Sequence, residues 1–128
     1  MIYSELISNL WVGDVEIANK VNFLKDNNIN IIINCTKSSL QVNNISIITL
    51  DLSDTFELAS ITINSSKDKL MKFIYDNIDT SSILIVSWGN IRVSSYIAYL
   101  FIETYGKLSK QTIKNMIQIK NNLISLDY

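Results

Sequence analysis

Gly89-Asn90-Ile91-Arg92 lies between two apolar stretches of different period, and that arrangement is the chain's best candidate for chemistry. Ile83–Val86 is a continuous apolar run of strand length, whereas Val93–Thr104 carries apolar residues at helical spacing. A strand that breaks into a glycine-containing loop and re-enters a helix gathers backbone N–H groups at the positive end of that helix, an arrangement suited to an anion. An arginine closing the loop can hold two oxygens of the same anion. The candidate phosphate loop is therefore Val86, Ser87, Trp88, Gly89, Asn90, Ile91 and Arg92.

What this loop lacks is an activated nucleophile. Val86 has nothing to ionise, and Ser87 has a hydroxyl but no histidine anywhere in the chain to serve as its base. The single cysteine, Cys35, ends a distant apolar run and reads as a small core residue. Arg92 has two open readings, a bidentate phosphate clamp or a structural arginine that bonds loop carbonyls or a carboxylate. Trp88 either fills the anion cradle, the reading preferred here, or swings out as an aromatic anchor for a partner. Ser94 and Ser95 read as caps of the first helical turn. Tyr96, Tyr99 and Phe101 fall at helical spacing and read as core, as does Trp11.

The elements that must position this loop follow from periodicity. Leu10–Val12 reads as a short strand, Ile17, Ala18, Val21 and Leu24 share a helix face, and Ile29–Asn34 is a continuous apolar strand. Ile45–Leu52 reads as a further strand, and Leu70, Phe73, Ile74 and Ile78 mark a helix before Ile83. Strand and helix then alternate through the loop, after which two helices follow. Continuous apolar strands imply a mostly parallel sheet covered by helices on both faces, hence an α/β domain. Ligands of such sheets sit beyond the strands' carboxyl ends, where residues 87–92 fall.

The chain resembles the dual-specificity members of the cysteine-dependent protein phosphatases. Their motif His-Cys-x-x-Gly-x-x-Arg-Ser is matched by Ile85-Val86-Ser87-Trp88-Gly89-Asn90-Ile91-Arg92-Val93, in which only Gly89 and Arg92 agree. A second register, with Ser87 in place of the cysteine, suits the strand but leaves the loop one residue short of its arginine. Further likeness lies in Ile7–Gly13, in Asn28–Thr36, and in Ile47–Asp54, similar to the third strand and acid loop. It continues in Ala98–Phe101, Gly106–Ser109 and Lys120–Asp127. The segment before Ala98 is one residue shorter than usual, and the arginine-proline pair found near Asn121-Asn122 in the family is absent.

The resemblance implies one dual-specificity phosphatase-like α/β domain over residues 1–128, with Asp54 at the vestigial general-acid position and no catalytic residue. It implies a pseudophosphatase: a protein-binding or scaffold module whose partner is a protein, phosphorylated or not. The alternatives are a weak phosphatase using Ser87, or a phosphate-reading domain acting through Arg92. A homodimer is also expected, through apolar surface on the helix of Ile113, Met116 and Ile117 that a further helix would otherwise cover.

Composition narrows the class. A chain of 128 residues suffices for one core. A net charge of −1 with interspersed signs provides no basic stripe for nucleic acid. No apolar run approaches the roughly 18 residues that span a bilayer, and no leader is evident, so an intracellular, cytoplasmic protein without membrane or nucleic-acid partners is expected. One cysteine and no histidine leave no usual metal site and no implied cofactor. The abundance of Ile, Asn and Lys, with no proline, fits an AT-rich genome such as large DNA viruses, poxviruses among them, possess.

Overall fold

The apolar runs assemble into one five-stranded sheet in a computed structural model that describes residues 1–89 and 91–128. Its strands are β1 (Tyr3–Ile7), β2 (Leu10–Asp14), β3 (Ile29–Asn34), β4 (Ser46–Thr49) and β5 (Ser82–Ser87), in the order β1-β2-β5-β3-β4. Only β1 and β2 pair antiparallel; the remaining neighbours are parallel. β5 is central, every one of its residues is buried, and its carboxyl end delivers Ser87 beside Asp14 and close to Cys35.

Strand pleating sorts the core into two layers. Ile83 and Ile85 of β5, with Ile31 and Ile33 of β3, face one cluster; Leu84, Val86 and Ile32 face the other. The first layer is covered by α2 (Phe56–Ser65), α3 (Lys67–Asn77), α4 (Arg92–Gly106) and α5 (Lys110–Lys120). The second is covered by a 3₁₀ turn, Val15–Asn19, and by α1 (Val21–Asp26), through Ile17, Ala18 and Leu24. This is the two-sided burial that continuous rather than alternating apolar strands require.

α4 is the deepest helix, with Ile97, Ala98, Tyr99, Leu100, Phe101 and Ile102 all buried. It ends where Lys107 takes a left-handed conformation (φ +54°) and returns its N–H to the Glu103 carbonyl. Ser109 then caps α5, accepting the Thr112 N–H at 3.2 Å. Past α5 the chain continues without regular structure and folds back over α4, burying Ile124.

Several boundaries differ from the sequence reading. The expected helix through Ile17 and Leu24 is broken at Lys20 (φ −91°, ψ 85°), because the Asp14 carboxylate, accepting N–H groups from Ile2 and Glu16, winds Val15–Asn19 into a tighter turn. The strand expected over Ile45–Leu52 stops at Thr49. α2 was not expected, since its Ile, Thr, Ser and Asn residues are mediocre helix formers; tertiary burial of Ala59 and Ile63 on one face overrides that weakness. β1 was missed for a related reason: as an edge strand it buries only Leu6 fully.

Candidate functional site

The site forms where β5 ends and α4 begins. Gly89 adopts φ +59° with open space around its α-carbon, the left-handed geometry that glycine accepts readily. Ile91 adopts φ +54°, a costly conformation for a β-branched residue, held because its side chain is fully buried. The Ile91 N–H donates to the Trp88 carbonyl at 3.1 Å, closing a tight turn. Asn90 lies outside the described residues.

Alternation along β5 decides which loop residue faces this turn. Val86 points to the α1 side, fully buried with Leu24 and Leu84, and does not line the site. Ser87 points to the α4 side. Its hydroxyl donates to Ser94 Oγ at 2.9 Å and accepts the Ser94 backbone N–H at 3.1 Å, while Ser94 Oγ donates onward to the Ile91 carbonyl at 3.1 Å. Ser87 thus caps α4 from outside the helix. Ser94 and Ser95, expected as caps, instead donate their hydroxyls back to carbonyls, Ser95 to those of Arg92 and Ser125.

A cleft of about 230 Å³ opens over this arrangement, bordered by Cys35, Ser53, Asp54, Phe56, Ser87 and Arg92. Asp54, on the loop after β4, is exposed at this cleft. Cys35 also reaches it, but burial pushes its thiol up to about 12, so the sulfur stays protonated at neutral pH. Trp88, expected to fill the cradle, borders the cleft and keeps 54% of its surface exposed. Two amides that could turn to an anion, those of Ile91 and Ser94, are already bonded within the protein.

Arg92 closes the cleft and is tied away from it. Its Nε donates to the Asp127 carbonyl at 2.6 Å, and its guanidinium lies over the Phe56 ring at 3.8 Å. The carboxylates of Glu57 and Asp127 stand at 3.9 and 3.8 Å, both largely solvated and so weak partners. Phe56, Asp127 and Tyr128 are site residues that sequence reasoning missed. The signal for Phe56 was faint, since α2 itself was not legible; Tyr128 was visible only as a tail aromatic.

Among the described residues no group of three His, Cys, Asp or Glu side chains is placed to hold a metal ion, and no helix is long and apolar enough to cross a membrane. No family model matches the chain, and no curated protein does. Solved structures do. DUSP15 superposes with a TM-score of 0.83 at 20% identity, covering 94% of this chain and 77% of its own. The fold is that of the dual-specificity phosphatases. A leucine-rich-repeat and phosphatase-domain protein from Entamoeba histolytica gives a TM-score of 0.77 at 23% identity, covering 96% of this chain and 81% of its own. A human tyrosine phosphatase-like serine/threonine/tyrosine-interacting protein gives 0.79 at 17%, covering 96% and 86%. The α/β class and the mostly parallel sheet expected from the apolar runs therefore hold, and the cleft at the sheet's carboxyl end is bordered by Ser87, Trp88 and Arg92.

Proposed function

We propose that this chain is a pseudophosphatase, a non-catalytic protein-binding module built on the dual-specificity phosphatase fold. One observation carries the reading: the only hydroxyl of the loop that faces the cleft, that of Ser87, is spent on both the N–H and the Oγ of Ser94. A hydroxyl so bonded has no base to take its proton, and the one thiol bordering the cleft is held neutral by burial. Val86, in the other register, faces the opposite core. The vestigial acid at Asp54 has no reaction to serve without a nucleophile.

The partner in this reading is a protein met inside the cell, and the same chain also pairs with itself. The human structural neighbour whose name describes interaction provides a precedent for the fold in a phosphatase-like protein. The test is direct: purified full chain incubated with para-nitrophenyl phosphate releases phenolate at the rate of buffer alone. Turnover that Ser87→Ala removes would refute the reading and promote a serine-dependent phosphatase.

A further inference from the structure

We infer that residues 125–128 are a strap that masks Arg92, and that displacing the strap turns the guanidinium toward the cleft to receive a tetrahedral oxyanion; this rests on the reading of a non-catalytic site. Arg92 is the chain's only arginine, so the charge that a phosphate-sized ligand would need is concentrated in one side chain. It forms a wall of the cleft beside Ser87. Yet its strongest bond runs the other way, from Nε to the Asp127 carbonyl at 2.6 Å.

The strap is held by a short series of contacts, all on α4, α5 and the start of α2. Ser95 Oγ donates to the Ser125 carbonyl at 3.0 Å, and the Tyr128 hydroxyl donates to the Ser95 carbonyl at 3.3 Å. The Tyr128 ring sits among Phe56, Tyr96 and Tyr99, at centroid distances of 6.0, 5.2 and 5.5 Å. Lys114 closes over it, with Nζ on the Tyr128 carbonyl at 2.8 Å and 5.1 Å from the ring centre. Ile124 anchors the start of the segment in the core and Leu126 packs against it; beyond Ile124 there is no helix or strand hydrogen bonding, so the end that covers Arg92 is held largely through Tyr128.

The exchange is chemically favourable in direction. The strap offers Arg92 a neutral carbonyl at 2.6 Å and a largely solvated carboxylate at 3.8 Å, whereas an oxyanion in the cleft accepts two direct charge-assisted bonds from the guanidinium fork. Phe56 borders the cleft and supports both the guanidinium and, by stacking, Tyr128, so strap and arginine are coupled through one ring.

Because only one arginine exists, phenylglyoxal modification read by peptide mass reports Arg92 alone. Full-length chain is expected to label slowly, and Tyr128→Ala at least tenfold faster, with inorganic phosphate at millimolar concentration slowing the variant back toward the parent. Lys114→Ala, a surface change on α5, loosens the same tyrosine and is expected to label several-fold faster, so the test survives if Tyr128→Ala fails to fold. Equal labelling of parent and both variants overturns the strap. Faster labelling that phosphate does not slow overturns the oxyanion assignment. Hydrolysis of para-nitrophenyl phosphate by either variant would instead overturn the non-catalytic reading and leave the masking intact.

Discussion

Ser87 and Ser94, seven residues apart, hold one another across the start of α4, with Ser87 Oγ at 2.9 Å from Ser94 Oγ and at 3.1 Å from the Ser94 amide. Seven is also the separation of the cysteine and the final serine in the motif His-Cys-x-x-Gly-x-x-Arg-Ser. In that register Arg92 arrives one residue early, and Val93 stands where the arginine belongs. Arg92 itself lies at the wall of the cleft, against the Asp127 carbonyl and the Phe56 ring.

The serine pair predicts a stability effect without an activity effect. Both residues are buried, so Ser87→Ala leaves the Ser94 amide without its acceptor and is expected to cost about 1–3 kcal/mol. Ser94→Ala is expected to cost a similar amount. The double variant should cost clearly less than the sum, because each single change already breaks the shared bond. Urea unfolding of the four proteins measures this; strict additivity would show that the pair is not coupled.

How far the site was legible depended on which physical signal each residue left. Ile83–Val86 and Ile29–Asn34 were plain as continuous apolar strands, and α4 was plain from its spacing, so the location of the loop followed. The register was not legible, because it depends on which face of β5 each residue takes, and an all-apolar strand shows no alternation by which to tell. Trp88 borders the cleft while more than half of its surface stays exposed, a placement that bulk alone does not decide. The role of Tyr128 depends on a long-range return of the chain onto Phe56 and Ser95, which periodicity does not encode.

Gly13 tests the packing of β2 against the 3₁₀ turn. A β-carbon there would lie 2.8 Å from Ile17 Cγ2, in the core, and 3.3 Å from Tyr3 Cβ. Gly13→Ala is therefore expected to destabilise by roughly 1–3 kcal/mol through overpacking. A thermal midpoint equal to that of the parent would show that the turn shifts freely.

Self-association, proposed above, cannot rest on Ile113 and Ile117; on the same helix Met116 is only partly buried. Ile113 and Ile117 are fully buried in the chain's own core, while Ile119 and Leu123 stand 85% and 66% exposed. Multi-angle light scattering at tens of micromolar is expected to give twice the 14.6 kDa chain mass. Ile119→Glu should return it to monomer. A monomer mass for the parent rejects the pairing, and a dimer unchanged by the substitution rejects this surface.

Alkaline pH should unfold the protein through groups that burial keeps protonated. The Cys35 thiol is pushed from 9.0 up to about 12 and the Tyr128 phenol from 10.0 up to about 12, each chiefly by desolvation; Tyr99 is raised as well, by burial and by its bond to Glu103. In the unfolded chain these groups release protons near their ordinary values, so above pH 9 the unfolded state binds fewer protons than the folded one. Stability is therefore at its full value below pH 9 and falls as pH rises toward 12, by up to about 1.4 kcal/mol per unit each for Cys35 and Tyr128 in their windows. Urea midpoints at pH 8, 9.5 and 10.5 measure the slope, and Cys35→Ala should make it shallower by the thiol's share. The same protonated thiol is expected to resist iodoacetamide at pH 8 in the native chain and to react once urea unfolds it. A flat midpoint across this range, or rapid native alkylation, would show that Cys35 reaches solvent at the cleft and that the one thiol near the loop is available for chemistry.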